Sequence, residues 1–225
     1  LVDVAHDMRS PLGSILFLVD QLRLGLSGPV TPVQRRQLGL VHGAALGLCA
    51  LASDVMDLAR GGETLTDGPA RPFALAEVLA QVEAMLAPVA EERGLALVLD
   101  PVAGGQRLGH GAAVQRVLLN LATNALKFTE AGTVRVTVTA EGERRVRFAV
   151  SDTGRGIPEP VLATLFDAFR RRAVQGDYVF SSAGLGLSIC QVLVAAMGGA
   201  LEVETALGAG TTFRFELDLP PVAGG

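Results

Sequence analysis

The sequence predicts two structural parts, a helical hairpin followed by an α/β domain whose helices cover one face of a mixed sheet. Three observations predict this fold class. Apolar residues near the start of the chain recur alternately three and four positions apart, as they do along a seamed helix. Strict alternation of apolar and polar residues appears later, first at 134–138, as in a half-buried strand. Helical and extended patterns then follow one another, which indicates helices layered on a sheet.

The hairpin is predicted from two apolar seams joined by a turn. The first seam contains Val4, Met8, Pro11, Ile15, Leu18, Leu22 and Leu26. The second contains Leu38, Val41, Ala45, Leu48, Ala52, Val55 and Ala59. Between them, residues 25–34 include Gly28-Pro29 and Pro32, which are typical of a turn. A lone hairpin leaves much of its seams in water, so we expect two copies of the chain to form a four-helix bundle.

The domain boundaries are placed where the periodicity changes. We expect the hairpin at 1–60, a linker at 61–72, the α/β domain at 73–220 and a tail at 221–225. Helices are expected at 74–92, 112–128, about 158–169 and 185–197, and strands at 134–138, 146–150, 201–204 and 212–217. His110 is interpreted as the cap of the second of these helices.

Composition excludes several classes of protein. The net charge is -4 and the longest basic run is three arginines at 170–172, so nucleic acid is not expected as a partner. No stretch reaches the ~20 apolar residues of a membrane span. Cys49 and Cys190 lie in apolar helical patterns, which fits reduced core residues and a reducing compartment. The chain starts at Leu1 without methionine, so we expect it to be part of a longer protein.

The single lysine of the chain limits the kind of nucleotide site it can form. Lys127 follows Leu126, so the Gly-Lys-Ser/Thr of a Walker A loop is not present, and the sequence contains no Gly-x-Gly-x-x-Gly. Any nucleotide site must therefore be of another kind.

His6 is the first candidate for chemistry. It lies between the seam residues Val4 and Met8, so we expect it to project away from the bundle axis. An exposed imidazole whose Nδ1–H is held by a carboxylate, here Asp7, keeps Nε2 free to accept a phosphoryl group. Taken alone, a surface histidine without a role is the alternative.

The surrounding residues favour the functional interpretation. The run His6-Asp7-Met8-Arg9-Ser10-Pro11-Leu12 resembles the H box of sensor histidine kinases, on their dimerisation and phosphotransfer hairpin. The resemblance implies that His6 is phosphorylated and that Asp7 orients and deprotonates it. It also puts Ser10 at the position that in relatives positions water to dephosphorylate the response regulator.

The second part resembles the nucleotide-binding boxes of the same family. Residues 120–129 are similar to the N box, in which Asn120 and Asn124 share a helix face. This implies that Asn124 binds Mg²⁺ and that Lys127 lies near the phosphates. Residues 152–157 resemble the first glycine box, which implies that Asp152 accepts a hydrogen bond from the adenine amino group. The residues implied to contact nucleotide in this box are Asp152, Gly154, Gly156 and Ile157.

Three more segments follow in the family order. Residues 166–169 resemble the phenylalanine box, and 170–183 would be a lid over the phosphates, with Phe169 and Arg170 at the nucleotide. Residues 184–189 resemble the second glycine box, where backbone N–H groups at a helix start meet phosphate oxygens. Its implied contacts are Gly184, Leu185, Gly186 and Leu187. Residues 208–213 resemble the closing Gly-x-Gly-Thr strand, whose threonine usually lies beside the adenine aspartate, and Thr212 is an implied nucleotide contact.

Together these segments imply a complete kinase core. The resemblance implies an all-α hairpin followed by a Bergerat-type ATP-binding α/β sandwich, with ATP and Mg²⁺ as cofactors. It further implies a cytoplasmic homodimer that passes phosphate to a receiver domain of a response regulator, whether or not the parent protein is tethered to a membrane. The alternative is a non-catalytic phosphotransfer or scaffold protein that keeps the fold. Such a protein should have lost Asn124, Asp152 or the glycine boxes, and all are present.

Overall fold

The structure is a computed structural model that describes residues 2–34, 37–39, 41, 45, 63–66, 68–100, 105–167 and 186–222, with the backbone alone at 2–10, 12, 63 and 64. The chain divides into two compact units, Leu1–Arg60 with Asp167–Gly186 and Gly61–Phe166 with Leu187–Gly225. The elements are α1 (Val2–Arg23), α2 (Glu63–Thr66), β1 (Arg71–Ala74), α3 (Leu75–Glu92), β2 (Ala96–Leu99), β3 (Gln106–Gly109), α4 (Gly111–Phe128), β4 (Thr133–Glu141), β5 (Arg145–Asp152), α5 (Glu159–Leu162), α6 (Gly186–Ala196), β6 (Leu201–Ala206) and β7 (Gly210–Asp218).

The first unit confirms part of the predicted hairpin. Helix α1 continues through Pro11 without a break in its assignment. The chain then turns at Gly25 and Gly28, both with positive φ, a conformation that glycine adopts without steric cost. Helix resumes at Pro32, inside the predicted turn, and residues 32–34, 37–39, 41 and 45 are helical. The remainder of the predicted second helix lies outside the described residues.

A capping box explains why helix resumes at this point. The backbone N–H of Thr31 donates to Oε1 of Gln34 at 2.9 Å, and the N–H of Gln34 donates to Oγ1 of Thr31 at 3.3 Å. Reciprocal bonds of this kind satisfy two N–H groups that the first helical turn leaves unpaired. Pro32 at the first helical position needs no hydrogen-bond donor there.

The apolar seam of α1 is largely exposed within one chain. Val19 and Ala45 are buried, whereas the seam residues Ile15, Leu18, Leu22 and Leu26 are exposed. The hairpin of a single chain therefore leaves an apolar stripe in contact with water, as the sequence predicted.

The second unit contains the predicted mixed sheet. Its five strands lie in the order β2-β4-β5-β7-β6, with β2 parallel to β4 and the other pairs antiparallel. Alternate residues of β4, β5 and β7 are buried on one face, which α4 covers where it contacts β4 and β5. The rings of Phe148 and Phe215 stack in this core with centroids 4.7 Å apart. The predicted face of Phe213, Phe215 and Leu217 is buried as expected.

The other face of the sheet carries ion pairs. Arg135 pairs with Asp100 at 2.6 Å, and Arg147 pairs with Glu141 and Glu216 at 2.6 and 2.5 Å. These side chains are well exposed, and exposed pairs contribute little to stability. Among the described elements, the helices that contact the sheet, α3 and α4, therefore lie on its buried face, as the sequence predicted.

Helices α3 and α4 pack together over the buried face. Each buries one apolar side, which in α4 consists of Ala113, Val114, Val117, Leu118, Leu121, Ala122, Ala125 and Leu126. Cys190 of α6 is a buried thiol whose Sγ donates to the carbonyl oxygen of Val117 at 3.8 Å, as predicted for a reduced core residue. His110 is the N-cap residue of α4, as predicted, but its side chain makes no cap hydrogen bond.

A small second sheet was not predicted. β1 pairs antiparallel with β3, and β3 is also bonded to residues 220–222 on its other side. The N–H of Leu108 donates to the carbonyl of Pro220, and the N–H of Val222 donates to that of Gln106, both at 2.9 Å. The folded domain therefore reaches from Arg71, inside the expected linker, to Val222, inside the expected tail.

The helix expected at about 158–169 is much shorter. α5 ends at Leu162, and the chain continues in three-residue turns, in which Leu165 N–H donates to the carbonyl of Leu162 at 3.1 Å. Bonds of this spacing belong to tighter turns than those of an α-helix. One helical turn, α2, lies within the expected linker.

Phe148→Ala tests the aromatic core. Phe148 is fully buried, so removing its ring leaves a cavity and we expect a loss of about 3–5 kcal/mol of stability. The neighbouring Arg147→Ala removes only exposed ion pairs on the opposite face, so its effect should be much smaller. Urea denaturation followed by circular dichroism measures both, and equal losses would contradict the one-sided core.

Candidate functional site

The site begins at Asp152, the last residue of β5. Val146, Phe148 and Val150 point into the core, and period-two alternation puts Asp152 on the same face, where the strand ends. Its Oδ1 accepts a hydrogen bond from the N–H of Gly154 at 2.8 Å. Burial raises the pKa of Asp152 above its usual value, while hydrogen bonds from the backbone N–H groups of Gly154 and Thr211 oppose that rise. The result is a half-buried hydrogen-bond acceptor held by the backbone.

Two glycines let the following loop fit between its neighbours. A Cβ at Gly154 would lie 2.6 Å from the carbonyl oxygen of Phe128, and one at Gly156 would overlap the carbonyl oxygen of Ala206. Gly156 also has a φ of +71°, which disfavours any other residue. The loop is therefore held against the end of α4 on one side and the β6–β7 turn on the other.

Helix α4 contributes a polar row to the same region. Asn120, Asn124 and Lys127 are spaced four and three apart, so they share one side of the helix, and all three are half-buried. The opposite side of the helix is buried in the core. Because the carbonyl of Phe128 contacts the Gly154 position, the Lys127 end of this row adjoins the glycine loop. The structure thus brings together the predicted N-box residues and the predicted first glycine box.

Sequence reasoning missed an aromatic ring and an arginine at this junction. The ring of Phe128 is 39% exposed, with Nζ of Lys127 5.5 Å and Cζ of Arg155 5.3 Å from its centroid, as in cation–π contacts. Among the residues that the structure describes, neither cation forms an ion pair. Two unpaired positive charges therefore lie at the rim of the site. An exposed phenylalanine directly after the lysine was the available sequence signal.

The threonine beside Asp152 is Thr211 and not Thr212. The pairing register of β5 with β7 puts Asp152 opposite Thr211 and Ser151 opposite Thr212. Residues that are directly opposed in antiparallel strands share a face, so Thr212 belongs to the other side of the sheet from Asp152. Thr212, the predicted nucleotide contact, therefore does not lie beside Asp152, and Thr211 does.

The other predicted residues are distributed as follows. His6, Asp7 and Ser10 lie in the first part of α1, at positions where only the backbone is described. Their predicted roles therefore stay predictions. Gly186 is the first residue of α6, which is the expected helix start of the second glycine box, and Leu187 follows it. Four predicted nucleotide contacts lie outside the described residues, namely Phe169, Arg170, Gly184 and Leu185.

The donor set of the site fits a cation that arrives with phosphate. Among the described residues, no group of three or more His, Cys, Asp or Glu is placed to hold a metal ion. Mg²⁺ needs few protein ligands when phosphates and waters complete its shell. The amide oxygen of half-buried Asn124 fits such a role beside Lys127.

In the part of the chain with assigned structure, no helix has the length and hydropathy needed to span a membrane.

Comparison with known proteins agrees with this site. Residues 109–221 match the family of histidine kinase-, DNA gyrase B-, and HSP90-like ATPases. These residues include α4, the Asp152 loop and the β6–β7 strands, so the chain belongs to this family of ATP-binding proteins. The predicted ATP-binding α/β fold is thereby confirmed.

Individual relatives indicate a more specific class of protein within this family. The chain is 36% identical over 97% of its length to the sensor histidine kinase AruS of Pseudomonas aeruginosa, and 31% identical over 97% to the signal transduction histidine-protein kinase BarA of Escherichia coli. The crystal structure of full-length ShkA in complex with AMPPNP matches 99% of this chain and 46% of that one, at 34% identity and a TM-score of 0.75. The chain is accordingly a sensor histidine kinase catalytic core. It spans 22% of AruS and 24% of BarA.

Asp152→Asn should separate nucleotide binding from stability. An asparagine can still accept the Gly154 N–H but also presents donors to the ligand, so we expect ADP to bind about 100-fold more weakly. Because the pKa of Asp152 is raised in the folded state, ionising it costs stability, and this cost appears as pH rises through that pKa. The variant should therefore melt at a higher temperature than the wild type at neutral pH, with the difference shrinking in acid.

Isothermal titration calorimetry and thermal melts at several pH values measure these effects. Wild-type ADP binding should also weaken as pH falls through the raised pKa of Asp152. Asp100→Asn is the matched control, since Asp100 pairs with Arg135 on the open face of the sheet. Unchanged ADP affinity in Asp152→Asn would remove Asp152 from the site.

Proposed function

We propose that this chain transfers the γ-phosphoryl group of Mg-ATP to His6 and that the phosphoryl group then passes to an aspartate of a response-regulator receiver domain. The observation that carries the proposal is the wall built by Asp152, the Gly154–Gly156 loop and α4. It occurs in a chain whose α1 holds His6-Asp7-Met8-Arg9-Ser10-Pro11-Leu12. Relatives over nearly the whole chain are named histidine kinases.

The wall accounts for recognition of an adenine nucleotide. The half-buried carboxylate of Asp152 accepts hydrogen bonds, and the 6-amino group of adenine donates them, whereas the 6-oxo group of guanine only accepts. Lys127 and Arg155, which form no ion pair among the described residues, supply positive charge near the Phe128 ring, where phosphates would be attracted. Asn120 and Asn124 supply neutral amides on the same helix side as Lys127.

The transfer exchanges one bond to phosphorus for another. The bond between the γ-phosphorus and the bridging oxygen breaks and leaves ADP, while a bond forms to Nε2 of His6. Asp7 accepts a hydrogen bond from the Nδ1–H of His6 and takes up this proton as positive charge develops on the imidazole. Mg²⁺ bound with the nucleotide neutralises phosphate charge, and the chain contributes mainly positioning.

The second transfer follows from the bond that His6 carries. The N–P bond of phosphohistidine is high in energy, so transfer to an aspartate is downhill. Docking of the receiver domain on α1 below His6 and a water-positioning role for Ser10 are supported by the motif resemblance alone.

The exposed seam of α1 supports a homodimer. Ile15, Leu18 and Leu22 follow one side of α1, and Leu26 lies in the turn just after the helix. All four are exposed in the single chain. An apolar stripe of this length is typical of a surface that another helix covers. A second copy of the chain offers the same stripe and closes a four-helix bundle.

Incubation with γ-labelled ATP and Mg²⁺ tests the kinase proposal. The wild type should acquire label that is lost in acid and kept in base, and His6→Ala should acquire none. Asn124→Ala should slow labelling by about 100-fold, as expected for loss of one positioned polar group in phosphoryl transfer. Adding a cognate regulator should move the label to it.

Arg147→Ala, which changes only the open face of the sheet, is the control and should label normally. Tight ADP binding without labelling would instead favour the non-catalytic scaffold. Label that persists in His6→Ala would refute His6 as the acceptor.

Leu18→Glu tests the dimer. A charge in the middle of the stripe should shift the chain from dimer to monomer in light scattering, because burying an unpaired carboxylate is strongly unfavourable. Phe17→Glu is the matched control, since Phe17 is as exposed as Leu18 but lies about 100° around the helix from it. A monomeric wild type, or equal effects of the two variants, would contradict dimerisation through the stripe.

A further inference from the structure

We propose that Thr205, which lies outside every predicted motif, is a positioning residue that fixes the Thr211 hydroxyl beside Asp152 as a hydrogen-bond acceptor and so sharpens selection of adenine over 6-oxo purines. The inference rests on the proposed adenine-nucleotide function and names a determinant of its base specificity.

Thr205 connects the two segments that flank Asp152. It lies on β6, directly opposite Thr211 on β7. Its Oγ1 accepts a hydrogen bond from the N–H of Ile157 at 2.9 Å and donates one to the carbonyl oxygen of Gly210 at 3.0 Å. The Oγ1 of Thr211 lies 3.1 Å away. One half-buried hydroxyl therefore contacts the glycine loop, the β6–β7 turn and the neighbour of Asp152.

Counting protons sets the direction of these bonds. A hydroxyl has one proton and two lone pairs. The Ile157 N–H occupies one lone pair of Thr205, and the Gly210 carbonyl, which can only accept, takes the single proton. In the remaining contact, Thr205 can therefore only accept, so the proton between the two hydroxyls must come from Thr211. With its proton used in this way, Thr211 can only accept hydrogen bonds from any other group.

This direction has a consequence for the ligand edge. Thr211 is opposite Asp152 in the β5–β7 ladder and shares its face, so two acceptors stand side by side. The 6-amino group of adenine can donate to this pair of acceptors, whereas the 6-oxygen of hypoxanthine would face the lone pairs of both. A site that leaves polar groups unpaired with the wrong ligand discriminates strongly against it. If Thr205 is lost, the Thr211 proton is free to turn and to serve a 6-oxo group.

The experiment compares ADP with inosine diphosphate on the full chain by isothermal titration calorimetry. Thr205→Val keeps the shape of the side chain and removes the hydroxyl. We expect ADP to bind about tenfold more weakly and the preference for ADP over inosine diphosphate to fall by about tenfold, since one buried hydrogen bond is worth about this factor. Thr205→Ser should restore both values. Thr139→Val, on an exposed position of β4, is the matched control and should change neither.

The outcomes separate this inference from the function on which it rests. A wild type that binds neither nucleotide overturns both. Wild-type ADP binding with an unchanged nucleotide preference in Thr205→Val overturns the inference alone, even if both affinities and the melting temperature fall together. If Thr205→Val does not fold, Thr211→Val, which removes the second acceptor, must lower the preference in the same direction, and an unchanged preference there overturns the inference.

Discussion

The antiparallel pairing of β5 with β7 is the constraint on which both the core and the site depend. The same register that stacks Phe148 on Phe215 puts Asp152, four residues after Phe148, opposite Thr211, four residues before Phe215. A slip of one residue would turn the phenylalanines out of the core and remove Thr211 from Asp152. Gly210 is required by this approach, because a Cβ there would overlap the carbonyl oxygen of Asp152. The packing of large apolar side chains thus determines where a small polar site lies.

The site is built from groups that are costly to the fold. The carboxylate of Asp152 is half-buried, and the glycines stand where a Cβ would clash with neighbouring backbone. The two cations at the rim have no acidic partner among the described residues. These groups all contribute little to stability. The open face of the same sheet is different, since its arginines pair with carboxylates. Sites that are incomplete in the free protein are expected where a ligand supplies the missing interactions.

How far the sequence predicted the structure depended on the range of the interactions. Alternation in β4, β5 and β7 was visible because one face of each is buried over most of its length, and the polar row of α4 followed from helical spacing. The four-residue strands β1 and β3 carry too short a pattern, and their pairing joins residues far apart in the chain. Local patterns predict elements well, whereas long-range pairing is invisible to them.

The errors at the site have the same origin. Which of two adjacent threonines shares the face of Asp152 depends on the register of β5 with β7, and this register is not visible in the sequence. Thr205 belongs to no motif, and its contacts with Ile157 and Thr211 arise from strand pairing and loop placement that the sequence does not show. The shortened α5 reflects turn geometry after Leu162, which its apolar spacing did not reveal.

The position of β3 has a mechanical consequence. It lies between β1, where the incoming chain joins the domain, and residues 220–222, which run alongside it in the same direction as β1. The outer ends of these two flanking strands lie at opposite ends of the small sheet. Tension applied between them would load its hydrogen bonds, together with the bond from Arg107 to the carbonyl of Leu219, in shear. Hydrogen bonds that are loaded in shear must break together. The small sheet would therefore resist extension when force is applied to the nucleotide domain through β1 or through residues 220–222.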